Sequence, residues 1–260
     1  GAWGTCASGR QQSPINVELG LRRDDGLKPL RLTGPTEYYQ ATLVPPLYGN
    51  VLTLDGLKGS MTVSGLTMQL RSLAVHTPSE HRFDGVARHG EIELLFEKEV
   101  GSTEVGLGLS AFLELGETTS PCLAPIVSAA RGYTGHVMQK DVLGFRHYKP
   151  PLYKKDIRPP VWFNTQTLAE GLLGHGSNYA NYLTYLGSLT TPPCTEGVTR
   201  ILLKVPLTIT ADDYAVIAQL QGKTARPTQP LHGRVVFDTA TGRSDGFQSP
   251  TPPAYPSLAT

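Results

Sequence analysis

From residue 49 to residue 115 the chain reads as one strand-like run after another, and a chain patterned in this way is sheet-rich. Met61-Thr62-Val63 and Thr67-Met68-Gln69-Leu70 flank Ser64-Gly65-Leu66, a hairpin signal. Residues 69–77, 91–100 and 105–115 are extended in pattern, and 201–205 form a further strand. Helical signals are fewer. Residues 120–130 can hold a short helix behind Pro121. Thr210 can N-cap a helix over 214–221, with Asp212 and Asp213 in its first turn. Twenty-eight glycines and 21 prolines among 260 residues suit a turn-rich β protein better than a helix bundle.

Composition narrows the function classes. Hydrophobic residues make up 39% and charged residues 17%, too apolar for a disordered chain. Lys plus Arg number 23 against 22 for Asp plus Glu, a balance that argues against nucleic-acid binding. No run approaches the ~18 apolar residues needed to span a bilayer. The chain starts Gly1-Ala2-Trp3-Gly4 without Met, so we read it as a mature or trimmed form. No composition shift divides it. We expect one domain over 1–240 and a Pro-rich, extended tail over 241–260. Residues 148–160 form a Pro-rich basic loop carrying Lys149, Lys154, Lys155 and Arg158. Cys6, Cys122 and Cys194 show no CxxC spacing, so a cysteine zinc site is not expected. Spacing alone leaves a Cys6–Cys194 bridge and three reduced thiols equally open.

Several motifs carry no chemistry in this context. Gly106-Leu107-Gly108-Leu109-Ser110-Ala111 matches G-x-G-x-x-A, yet lies inside an apolar strand-like run rather than between strand and helix. There is no G-x-S-x-G elbow and no phosphate-binding G-x-x-x-x-G-K-S/T loop.

Three segments do carry information: Gln12-Ser13-Pro14-Ile15-Asn16, Thr77-Pro78-Ser79-Glu80-His81 and Ser188-Leu189-Thr190-Thr191-Pro192-Pro193-Cys194. In this order they resemble the α-type carbonic anhydrase family, and Arg226-Pro227-Thr228-Gln229-Pro230-Leu231 with Gly233-Arg234 extends the resemblance to about residue 237. The resemblance implies a mainly β (α+β) single domain, with a large, mostly antiparallel sheet of about ten strands and short peripheral helices. It also implies a Cys6–Cys194 disulfide, hence an oxidising, non-cytosolic compartment: an organelle lumen such as the thylakoid's, or secretion. Cys122 is then left as a buried thiol.

The family's chemistry needs zinc on three histidines, two from a His-x-His on one strand and one from a neighbouring Glu-x-His, with bound water acidified to a pKa of about 7. Here those positions read Ala74, His76 and Glu93. Ala74 has no donor atom, and Glu93 is a carboxylate where an imidazole is needed. The reading is therefore a carbonic anhydrase fold without catalysis and without zinc. Glu80 and Thr190 match the pair that orients the zinc-bound hydroxide in active members; His81 and Glu91 match buried supporting residues, and Leu189 and Thr191 belong to the vestigial site. Arg200 stands where active members usually have Trp, a guanidinium in an apolar wall that needs a partner, for which Glu93 is a candidate. No histidine lies near 47–50, where the proton shuttle should fall.

The expected role is a structural or binding subunit with a protein partner, including an extrinsic lumenal subunit associated peripherally with a membrane complex. Lys149, Lys154, Lys155 and Arg158 are the candidate contacts. Two alternatives stand beside it: a weak zinc carbonate dehydratase using His76 and Glu93, and a polyanion- or glycan-binding surface protein using the basic loop.

Overall fold

The computed structural model describes residues 4–18, 21–24, 26–44, 51–100, 103–137, 160–174 and 179–239. The proposed tail 241–260, the 47–50 segment and the four basic candidates Lys149, Lys154, Lys155 and Arg158 lie outside these residues.

Three long strands set the architecture. Leu66–His76 pairs antiparallel with Gly90–Val100, which pairs antiparallel with Thr103–Leu115. The first of them begins in the expected hairpin: Ser60–Val63 pairs with Leu66–His76 across Ser64 and Gly65, whose φ angles are +50° and +79°. Both values suit the tight turns that join adjacent strands with the sheet's natural twist.

Around this centre the main sheet runs, in spatial order, Pro160–Phe163, Tyr39–Val44, Leu52–Asp55, Leu66–His76, Gly90–Val100, Thr103–Leu115, Glu196–Leu203, Tyr182–Ser188, Phe237–Asp238 and Arg22–Arg23. Shorter strands bring it to thirteen among the described residues. The sheet is mostly antiparallel, as expected, but mixed. Thr103–Leu115 pairs in parallel with both Glu196–Leu203 and Leu207–Ile209. Both partners lie far from Thr103–Leu115 along the chain, so local patterning does not encode these pairings.

The sheet has two unlike faces. On one, Leu73, Val75, Ile92, Leu94, Leu109 and Ile201 join the main core beneath the helices Ala124–Val137, Thr165–Leu173 and Ala211–Gln221. On the other, a smaller cluster of Ile15, Val17, Phe83, Phe112, Leu183, Tyr185, Leu202 and Val236 packs beneath the N-terminal segment. The polar residues singled out above point to this second face, beside that cluster.

The expected helices are present. Thr210 accepts from the Asp213 N–H at 3.2 Å as N-cap of Ala211–Gln221. The 120–130 signal becomes a single turn at Pro121–Leu123 leading into Ala124–Val137. The G-x-G-x-x-A segment lies within Thr103–Leu115, as its apolar context implied.

Candidate functional site

Strand alternation places the site. Leu73, Val75, Ile92 and Leu94 face the main core, so Ala74, His76, Glu91 and Glu93 face the other way. Register sets Glu93 opposite Ala74, Glu91 opposite His76 and Ser110 opposite Glu93. The three positions matched to metal ligands are therefore neighbours on one face, as the resemblance implied.

What fills the space is a guanidinium. Arg200 is fully buried, and its Nη1 donates to Glu93 Oε1 at 2.5 Å. Nη2 donates to Ser110 Oγ at 3.3 Å. Burial alone would raise the Glu93 carboxyl; Arg200 overrides it and holds that carboxyl below the ordinary carboxylate range. Burial likewise opposes the Arg200 charge, and Glu93 more than offsets it. The candidate pairing read from sequence is thus realised.

Beside this pair sit His76 and Glu80. His76 Nε2 lies 3.9 Å from Glu93 Oε2, and His76 Nδ1 lies 3.5 Å from Glu80 Oε1. His76 Nδ1, Glu80 Oε2 and Glu93 Oε2 are buried and have no hydrogen-bond partner. Burial pushes the Glu80 carboxyl above its ordinary range, with His76 opposing and the acids Glu93 and Glu91 adding to the rise. Glu80 Oε1 accepts from the Arg226 N–H at 3.0 Å. Its Oε2 has no partner, and no hydrogen bond joins Glu80 to Thr190 among the described residues. Thr190 is buried, Leu189 half-buried and Thr191 exposed; their loop closes on itself through the Leu189 N–H to Thr195 O and the Cys194 N–H to Thr191 O.

A second polar network is complete. Glu91 Oε2 accepts the backbone N–H groups of Glu80 and His81 at 3.0 and 2.9 Å, and its Oε1 meets His81 Nδ1 at 2.7 Å. His81 Nε2 meets the Tyr185 hydroxyl at 2.7 Å, which meets Ser13 Oγ at 2.8 Å. Against its burial, Glu91 is held well below the ordinary carboxylate range, chiefly by His81. These residues anchor the Thr77–His81 turn and the Ser13 segment to the sheet.

Do these residues fit a zinc ion carrying a reactive water? They do not. Of the three positions matched to zinc ligands by the resemblance, His76 alone carries an imidazole, Ala74 offers a methyl, and Glu93 already neutralises a buried guanidinium. His76, Glu80 and Glu93 can each present one ligand atom with all three within 4.8 Å of one another. That set nevertheless shares its pocket with a fixed positive charge.

Sequence reasoning missed several parts of the site. Gly108 and Gly187 make room for Arg200, since a Cβ at either would stand 2.7 Å from Nη1 or 2.8 Å from Cγ. The paired glycines of Gly106-x-Gly108 were the available signal. Ser110, Tyr185 and the tie from Arg226 had none, because each depends on distant strands meeting. Cys6 and Cys194 are joined, and Cys122 is a buried free thiol that burial pushes up to about 11.

Comparison with known proteins finds carbonic anhydrases and related chains of the same fold. A family model described as eukaryotic-type carbonic anhydrase matches residues 153–240. A carbonic anhydrase of Klebsiella pneumoniae is 29% identical over 243 residues, covering 90% of this chain and 82% of that protein. The crystal structure of dioscorin complexed with ascorbate superposes with a TM-score of 0.71 at 23% identity, over 91% of this chain and 88% of that one. An α-carbonic anhydrase from Thermovibrio ammonificans, in complex with the inhibitor sulfanilamide, superposes with a TM-score of 0.67 at 24% identity, over 91% of each chain.

Proposed function

We propose that this chain, which belongs to the α-type carbonic anhydrase family, is a non-catalytic member serving as a structural or binding subunit. The observation that carries the reading is the occupant of the pocket. Where catalysis needs three imidazoles around an ion with an open position, the chain presents the Ala74 methyl, His76, and a Glu93 bonded to Arg200 at 2.5 Å. Without the ion there is nothing to lower the pKa of water to about 7 and generate hydroxide at neutral pH.

The retained acids and histidines act in the fold. Glu91, His81, Tyr185 and Ser13 bond one another inside the protein, so they remain useful without any metal. The Cys6–Cys194 disulfide suggests an oxidising environment. The compartment we propose is an organelle lumen or the extracellular space. The proposed partner is a protein that docks on the Pro-rich basic segment 148–160, because extended Pro-rich chain loses little entropy on binding. No helix among the described residues is long and apolar enough to cross a membrane; the attachment we propose to a membrane complex is peripheral.

A second reading has one observation in its favour. His76, Glu80 and Glu93 could grip a divalent ion, which would leave a weak carbonate dehydratase. One experiment separates the two. Purified protein is dialysed against zinc, analysed for metal, and assayed for carbon dioxide hydration against a buffer blank. We expect substoichiometric zinc and hydration at the blank rate. Stoichiometric zinc with hydration well above blank would establish the enzyme instead.

A further inference from the structure

We infer that Arg200 is the resident cation of this pocket, and that its guanidinium, beyond the loss of imidazole at position 74, keeps divalent metals out. The inference rests on the non-catalytic reading and deepens it. Its support is a seat shaped for this one side chain. The charged end of Arg200 meets Glu93 Oε1 at 2.5 Å and Ser110 Oγ at 3.3 Å. Its planar group lies against the backbone of Gly108, where a Cβ would stand 2.7 Å from Nη1, 2.9 Å from Cζ and 3.1 Å from Nε. Its stem crosses Gly187, where a Cβ would stand 2.8 Å from Cγ. Gly108 and Tyr185 are the strand neighbours of Arg200 on either side, so the arginine enters a slot left open on one flank and walled by a ring on the other. A side chain at either glycine would evict the guanidinium.

The remaining donors show why its charge matters. Residues 74 and 76 share a strand face, and Glu93 is the cross-strand partner of Ala74. A single imidazole at 74 would therefore complete two histidines and one glutamate, a set that holds catalytic zinc in metalloproteases. On donor count the chain lies one substitution from a competent site. On charge it does not. A guanidinium in hydrogen-bonding reach of Glu93 repels a divalent ion and neutralises the carboxylate through Oε1, although Oε2 still faces His76. Glu93 can neutralise one buried cation, and the fold has built that cation into the chain.

Cobalt(II) and zinc(II), added to the purified full chain as simple salts, test this by calorimetry and by the visible absorption of four-coordinate cobalt. Near-UV circular dichroism reports that each variant is folded. We expect no uptake by Ala74→His with Arg200 in place. Ala74→His with Arg200→Met should bind cobalt at least ~100-fold more tightly and give the four-coordinate spectrum. Ala74→His with Arg200→Lys, which returns a cation, should lose that gain. Arg200→Gln, which keeps a hydrogen bond to Glu93 without the charge, replaces the methionine variant if that one does not fold. Equal cobalt affinity with and without Arg200, or a folded charge-free variant that takes up no cobalt, overturns the inference. Tight uptake by Ala74→His alone sinks it while leaving the inactivity of the natural chain standing, so the two readings fail separately.

Discussion

Two buried carboxylates a few ångströms apart are in opposite electrostatic circumstances. Glu93 has a cation at 2.5 Å, so removing either partner leaves a bare charge inside the protein. We expect Glu93→Gln to destabilise by about 3–5 kcal/mol in urea unfolding, with Arg200 left unpaired. Glu93→Leu combined with Arg200→Met should lose less than either single change, since an apolar pair of similar volume carries no desolvation penalty. Additive losses would show that the two residues do not act as a pair. Glu80 is the opposite case. Its carboxyl is raised by burial, so the native state carries no extra penalty below the ordinary carboxylate range. The penalty grows as pH rises through the raised value. Glu80→Gln keeps an acceptor for the Arg226 N–H and removes the charge. Its melting temperature relative to the natural chain should therefore improve between about pH 4 and about pH 8. An offset that does not vary with pH would contradict this. Glu91 and Glu93, both lowered, act in the other sense: they stabilise above the ordinary carboxylate range, and that stability is lost on acidification.

At the scale of elements, one irregularity governs which face each residue occupies. Leu95 pairs with Ser72 while its neighbour Phe96 pairs with Leu70, so Arg71 is an extra residue in the Leu66–His76 strand. This bulge lets Met68 and Leu70 on one side of it, and Leu73 and Val75 on the other, reach the same core despite the change in parity. It thereby turns Ala74 and His76 toward the site. The strands, the 64–65 turn and the Thr210 cap were legible because each rests on contacts a few residues apart. The helix Thr165–Leu173 was missed although Asn164 caps it, accepting from the Thr167 N–H at 3.0 Å. Gly171 within it obscures the signal, and tertiary packing explains the glycine: a Cβ there would stand 2.5 Å from Cys122 Sγ. Gly171→Ala should accordingly destabilise by about 1–3 kcal/mol through overpacking, in spite of the better helix propensity of alanine. Adding Cys122→Ala removes the Sγ but leaves a Cβ 2.7 Å away, so it should recover part of that loss in thermal unfolding, and no recovery would remove the Cys122 Sγ as a cause.

Over the whole molecule, the N-terminal segment is fastened to the sheet by groups from distant parts of the chain. Cys6 is bonded to Cys194 across 188 positions. Arg226 donates to Cys6 O, Gln12 Oε1 and Ser13 O, while its own N–H holds Glu80. Closing so long a loop restricts the unfolded chain, and replacing both cysteines by serine should lower stability by about 2–5 kcal/mol in urea unfolding. A change below half a kilocalorie would mean that the Arg226 contacts hold the segment unaided. The sequence by itself determined that position 74 brings no metal donor, since an alanine offers no lone pair in any fold. It also determined the strand pattern and the family motifs, which depend on residue type and short-range order. The tertiary structure alone decided what stands beside Glu93 and Glu80. Arg200 reaches Glu93 across 107 positions and the Arg226 N–H reaches Glu80 across 146. Such meetings are set by how the mixed sheet closes, with its parallel pairings and its two glycine gaps, and a one-residue shift in register would turn Arg200 or Glu93 to the other face.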